Sequence, residues 1–189
     1  MHKIFFMKKV VFVGSGAIGT AVGNVLARKG IDDITLLSIE EEVVDSINNQ
    51  RLNINYFPNI KLSRNLKATT DIEILKDADV IFMAIPSTAV VGYLFDKKDY
   101  INPKAIIVNL AKGFGKGDCL IPNCLVGHFP NTLMMMKGPS FAREIINRQE
   151  TGFTLACENN ECFGEVADLF ENTNVRFDYS NDINGVEYA

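Results

Sequence analysis

The run Val10-Val11-Phe12-Val13 passes without a break into Gly14-Ser15-Gly16-Ala17-Ile18-Gly19, and this junction constrains the fold more than any other stretch. Four consecutive apolar residues, three of them β-branched, suit a strand covered on both faces. Beyond the glycines, Ile18, Ala21, Val22, Val25 and Leu26 recur at i, i+3, i+4, i+7 and i+8, which is the apolar stripe of one helix. The stripe ends at Lys29-Gly30, a cationic last turn with a glycine suited to close it. Strand, glycine turn and helix in this order open a βαβ unit, and Ile34–Leu37 supplies its second strand.

Glycines at this spacing also make ordinary turns; the strand before and the helix after give them a second meaning. Gly14 permits the tight turn, and Gly16 lets the backbone approach a pyrophosphate without a Cβ in the way. Gly19 brings helix and sheet together, while the helix N-terminus offers unspent N–H groups and a positive dipole end. The end of the second strand should then carry an acid for an adenosine 2′-hydroxyl or a base for a 2′-phosphate. The chain has Ser38, Ile39 and Glu40-Glu41-Glu42 there. Three carboxylates repel a 2′-phosphate, which favours NAD over NADP, although a glutamate run also suits any solvated helix start.

The same rhythm continues. Val80–Ile85, Ala105–Leu110, Leu133–Met136 and Phe153–Cys157 read as further strands, several apolar at every position. Glu41–Asn49, Ile72–Lys76, Thr88–Phe95, Phe141–Asn147 and Cys162–Glu171 read as helices. The expectation is an α/β fold: a Rossmann-type, doubly wound, mostly parallel sheet with helices on both faces, in one domain over residues 1–189. The polar segment Asn48–Asn65 reads as a long surface connection. With 47% hydrophobic and 22% charged residues, disorder is excluded. A net charge of −4 argues against nucleic acid as a partner.

The uncharged stretch Val80–Phe95 is broken by Pro86 and falls short of the roughly 20 apolar residues a membrane span needs. Residues Met1–Val13 superficially mimic a secretion signal, but their apolar run is better read as a strand entering a turn. Met7 would also serve as a start, leaving six residues as an extension without structural role. Cys119, Cys124, Cys157 and Cys162 form two C-x4-C pairs, with His128 beyond the second cysteine. This spacing is looser than the usual zinc pattern, so reduced thiols in the cytoplasm are favoured over a metal site or a disulfide.

In open α/β sheets ligands gather at the carboxyl ends of the strands. Three segments there carry chemistry. Ile85-Pro86-Ser87 ends the most apolar strand and can pack beside a cofactor. Asn109-Leu110-Ala111-Lys112-Gly113 puts a lysine just past another strand. Lys137-Gly138-Pro139-Ser140-Phe141-Ala142 follows a third and starts a helix, with N–H groups and a hydroxyl for an anion. Each also has a plain reading, a solvated loop lysine or a proline-started helix. With the glycine turn they describe a pocket for a small anionic substrate.

These segments, in this order, resemble the NAD(P)-dependent glycerol-3-phosphate dehydrogenases. The resemblance runs from Val13–Ala21 through Asn55-Tyr56-Phe57-Pro58, Leu66–Asp71, Ile85-Pro86-Ser87, Ala111-Lys112-Gly113 and Gly138–Ala142 to Gly185-Val186-Glu187. It implies reversible hydride transfer between a nicotinamide and C2 of dihydroxyacetone phosphate, giving sn-glycerol 3-phosphate for phospholipid synthesis. By position it implies that Ala17, Ile18, Ile39 and Ala142 meet the cofactor, alongside Gly14, Ser15, Gly16 and Gly19 of the turn and Pro86 at the strand end. Lys112 would lie between cofactor and substrate as the catalytic cation, and Gly138 and Ser140 would touch the substrate. No metal is implied, and the intact enzyme would be a cytoplasmic homodimer.

The family continues past glycine-valine-glutamate into a motif whose lysine exchanges the proton, then into an all-helical domain. No lysine follows Lys137 in this sequence. The chain therefore reads as the dinucleotide-binding half, able to hold cofactor with little turnover. The alternatives are a non-catalytic NAD-binding or interaction module, and a related ketoacid or hydroxyacid reductase.

Overall fold

A computed structural model describes residues 7–30, 32–158 and 160–188 of the chain. Residues 1–6, which hold the extension reading and the first part of the signal-like one, lie outside the described residues. Eight strands form one sheet: β1 (Lys9–Val13), β2 (Asp33–Leu37), β3 (Leu66–Thr69), β4 (Val80–Met83), β5 (Ile106–Asn109), β6 (Leu133–Lys137), β7 (Thr151–Ala156) and β8 (Val175–Ser180). Their order across the sheet is β3-β2-β1-β4-β5-β6-β7-β8. The first six are parallel, in the doubly wound order that turns about the first strand. β7 runs antiparallel to β6, and β8 parallel to β7.

The central strands are apolar throughout because each serves two cores. From β1, Val10 and Phe12 enter one and Val11 and Val13 the other; Val80 and Phe82 of β4 separate from Ile81 and Met83 in the same way. Phe12 stacks on Phe82 with ring centroids 4.6 Å apart, and Phe170 meets Phe82 edge-on at 6.2 Å. On the first face lies α1 (Ala17–Lys29), buried from Gly19 to Ala27 and closed by Gly30 at φ 72°. Its basic end is tied down: Arg28 donates to the carbonyl of Ile146, and Lys29 to those of Asp168 and Leu169.

The remaining helices are short. α2 (Glu41–Asp45) winds on into a π-turn over Ser46–Gln50, and Ile72–Asp77 is a 3-10 turn capped by Asp71. α3 (Ser87–Asp96), α4 (Ile121–Leu125), α5 (Ala142–Ile146), α6 (Asn160–Ala167) and α7 (Ile183–Tyr188) complete the set. The helix expected over Cys162–Glu171 breaks after Ala167 into a 3-10 turn over Asp168–Phe170.

Several expectations are corrected. β3 and β8 were not anticipated: at the sheet edges they bury one face only, so their residues alternate with exposed ones and lack a continuous apolar run. The segment Asn48–Asn65 is not a surface connection throughout, since Asn53, Phe57 and Leu62 are buried in it. The preference for reduced thiols fails at one pair, because Cys119 and Cys124 are joined as a disulfide; Cys157 is buried. Among the described residues no cluster of metal ligands occurs, and no helix is long and apolar enough to cross a membrane.

Candidate nucleotide and substrate site

The glycine turn lies where the order of strands reverses. The Gly14 amide donates to Leu37 O at the end of β2, and the Ala84 amide, just past β4, donates to Val13 O. Gly14 sits at φ 110°, and a Cβ there would come 2.6 Å from the carbonyl oxygen of Ala84. A Cβ on Gly19 would strike the carbonyl oxygen of Gly14 and come 3.0 Å from Ala84 Cβ. The fold itself requires these two glycines. Gly16 differs: its φ is −66°, and a Cβ would meet nothing nearer than the Tyr56 ring at 3.9 Å. Its missing side chain leaves open space above the start of α1.

That space faces unspent donors. Gly16 is the N-cap of α1, no side chain caps it, and the first turn carries no acid, so its amides remain for a ligand. A buried polar network holds the turn from below. Ser15 and Ser38 share a 2.7 Å hydrogen bond between hydroxyls. The Ser15 carbonyl accepts from Thr20 Oγ1 at 3.0 Å and Asn53 Nδ2 at 2.8 Å, and Asn53 also donates to Thr20 Oγ1 at 2.8 Å. With the Ser15 carbonyl turned inward, the next peptides are fixed against the groove. Asn53 is a residue the sequence reading missed, hidden in what looked like a surface loop.

One groove joins Gly16, Ala17 and Ile18 to Ile85-Pro86-Ser87, Ala111-Lys112 and Ser140-Phe141-Ala142, with Tyr56 as a further wall. The structure thus brings together most of the residues singled out from sequence. Ile39 is set apart at the end of β2, 97% exposed. Beside it Glu40 accepts from Asn55 Nδ2 at 3.3 Å, and Glu41 and Glu42 lie exposed in the first turn of α2. A second cavity of about 400 Å³ opens on the other side of Lys112 and is lined by Gly113, Lys137, Gly138, Pro139, Thr154, Val186 and Glu187. Lys112 borders both spaces. Its ammonium donates to Ser140 O at 2.9 Å and lies 5.8 Å over the Phe141 ring. Gly138 also has a packing reason to be glycine, since a Cβ would come 2.7 Å from Gly152 O on β7.

The sequence reading also missed a buried charged group between the strand ends. Lys137, at the end of β6, pairs with Glu187 of α7 at 2.9 Å, the two side chains 6% and 0% exposed. Its ammonium also donates to Ala111 O. Asn109 Nδ2 lies 3.5 Å from the same Glu187 oxygen, and Asn109 Oδ1 accepts from the Ala111 amide at 3.1 Å. Burial drives the Lys137 ammonium below the usual lysine range; Glu187 opposes that shift and Lys112 adds to it. Burial likewise pushes the Glu187 carboxyl up against the pull of Lys137 and Asn109. One sequence signal was available: a lysine ending an otherwise apolar strand needs a partner.

A parallel sheet in this order, with an open glycine and a helix start at its switch point, defines the Rossmann class, the fold shared by the nicotinamide-dependent dehydrogenases. Within that class the chain can be placed further. Residues 9–163 match the model of the NAD-dependent glycerol-3-phosphate dehydrogenase N-terminus, and the chain belongs to that family. It is 37% identical over 185 residues to a glycerol-3-phosphate dehydrogenase [NAD(P)+] of Leptospira biflexa, covering 95% of this chain and 55% of that protein. Against the Bacillus subtilis enzyme of the same name it is 35% identical over 187 residues, covering 96% and 54%. The crystal structure of glycerol-3-phosphate dehydrogenase from Coxiella burnetii superposes with a TM-score of 0.88 at 29% identity, over 97% of this chain and 57% of that one. The chain spans about half the length of the curated relatives it matches.

Proposed function

We propose that residues 1–189 are the dinucleotide-binding domain of a glycerol-3-phosphate dehydrogenase, which interconverts dihydroxyacetone phosphate and sn-glycerol 3-phosphate with NAD(H). The observation that carries the reading is the open Gly16 at the switch point, in one groove with Lys112. The residues present fit the cofactor. Amides of Gly16, Ala17 and Ile18 suit the pyrophosphate, Gly14, Ser15 and Gly19 shape the turn, and Pro86 and Ala142 border the nicotinamide half of the groove. Ile39 lies toward the adenosine ribose, and the adjacent carboxylates favour NAD over NADP. When bound, the nicotinamide supplies or accepts the hydride at substrate C2.

The chain's own residues do the rest. As a ketone is reduced, its oxygen gains negative charge, and a preorganised ammonium at that position lowers the barrier. Lys112, held by Ser140 O and bordering both spaces, is the group suited to this task, with Gly138 and Ser140 against the substrate. The proton that completes the alcohol requires a general acid. On the same reading the enzyme is a cytoplasmic homodimer acting on a small molecule, and the net charge of −4 argues against a nucleic-acid role.

The test is titration of the 189-residue chain with NADH, followed by nicotinamide fluorescence and by calorimetry. Saturable one-to-one binding is expected, and absence of binding would sink the reading. In a protein carrying the whole enzyme, Lys112→Ala is expected to lower kcat by about 10²–10³, the worth of one oriented electrostatic donor. A loss below tenfold would remove Lys112 from the mechanism.

A further inference from the structure

Lys112 can act only if its backbone is held, yet it stands in a loop just beyond β5. The residue before it, Ala111, is held on both sides. The Ala111 amide donates to Asn109 Oδ1 at 3.1 Å, and the Ala111 carbonyl accepts from Lys137 Nζ. The two holders share one anchor, since Lys137 Nζ and Asn109 Nδ2 both meet Glu187 Oε2, at 2.9 and 3.5 Å. The contacts form a closed ring, Ala111 to Asn109 to Glu187 to Lys137 and back to Ala111, spanning the end of β5, the end of β6 and α7.

A buried ion pair is a poor way to gain stability, because desolvating two charges offsets most of their attraction. Here the pair is almost fully enclosed, and Glu187 Oε1 has no hydrogen-bond partner among the described residues. Such an arrangement holds geometry at the expense of stability, and the geometry it holds is that of the Ala111–Lys112 peptide. We propose that Lys137, with Glu187 and Asn109, is a positioning residue that sets where the Lys112 ammonium is presented. Its effect on Lys112 runs through the Ala111 carbonyl. The consequence for catalysis rests on the dehydrogenase reading of Lys112; the clamp itself does not.

The test reads Lys112 directly. The 189-residue chain is labelled competitively with trace acetic anhydride, and each lysine is quantified by peptide mass spectrometry against the exposed Lys104. In the wild type Lys112 is expected to label more slowly than Lys104, because its ammonium is held on Ser140 O. In Lys137→Met the Lys112:Lys104 ratio is expected to rise about fivefold, the equivalent of one hydrogen bond lost. Lys61 and Lys67, far from the ring in sequence, keep their rates. Because Lys137→Met leaves a carboxylate buried, Lys137→Met combined with Glu187→Gln is measured beside it as the variant that keeps the fold. An unchanged ratio in the folded double variant overturns the proposal. So does a rise shared by Lys61 and Lys67, which would mean general loosening. Nucleotide titration of the same proteins reports on the dehydrogenase reading separately: a wild-type chain that binds no NADH refutes that reading and leaves the labelling result to stand or fall alone.

Discussion

Gly16 and Gly19 stand three positions apart in one turn, yet substituting them should have opposite consequences. Alanine at Gly16 meets no atom nearer than 3.9 Å, and φ −66° is ordinary for any residue. The folded state should accept it with a change in stability within about 1 kcal/mol, since alanine also has less freedom to lose on folding. A bound pyrophosphate would feel it strongly, because the methyl group occupies the space through which oxygens reach the first amides of α1. Losing one charge-assisted hydrogen bond removes about 1.5–3 kcal/mol, which weakens NADH binding about 10- to 100-fold. Alanine at Gly19 points instead into the Gly14 carbonyl and Ala84, where only backbone can yield. Overpacking of that kind costs about 1–3 kcal/mol, or several degrees of Tm for a domain of this size. The assay is a pair of measurements on each variant: thermal unfolding without ligand, and NADH titration at 25 °C. Wild-type affinity in Gly16→Ala would refute the reasoning, as would an unfolded Gly16→Ala, because either result would mean that Gly16 does not face the ligand space.

Two further outcomes follow from the site. Lys137→Met should cost about 3–5 kcal/mol at pH 7, the usual penalty for removing one member of a buried pair. Burial already raises the Glu187 carboxyl, and without Lys137 it rises further, so the folded variant takes up a proton at higher pH than its unfolded chain. The lost stability therefore returns as pH falls through the folded value toward 4.5, where the unfolded chain is protonated as well. Urea unfolding followed from neutral into mildly acidic pH checks this, and a penalty independent of pH would refute it. Ile39→Arg, at the exposed end of β2, should shift the NADPH:NADH affinity ratio upward by about tenfold through a new charge-assisted contact to the 2′-phosphate. An unchanged ratio would show that Ile39 does not lie beside the ribose.

What the sequence determined by itself was local. Val10–Val13, the three glycines and the stripe from Ile18 to Leu26 are neighbours along the chain, and their periodicity reports strand, turn and helix because each pattern is written within a few turns of backbone. The central strands were legible for the same reason, burial on both faces making every position apolar. Residues at the strand ends could be named because an α/β sheet collects its loops on one side, and Lys112, Ser140 and Ala142 do line one groove with Gly16.

Only the tertiary structure decided the rest. Edge strands β3 and β8 carry half the apolar signal of a central strand, and the antiparallel direction of β7 depends on its partner, not on its own residues. It took the packed chain to separate a glycine that the backbone requires from one that faces open space, since that difference lies in the distance to Ala84 and Tyr56. Asn109 and Glu187 are 78 residues apart and carry no mark of each other. They meet, with Lys137 between them, because the sheet sets the ends of β5 and β6 side by side beneath α7, and a buried charge must find its counterpart wherever the chain delivers one.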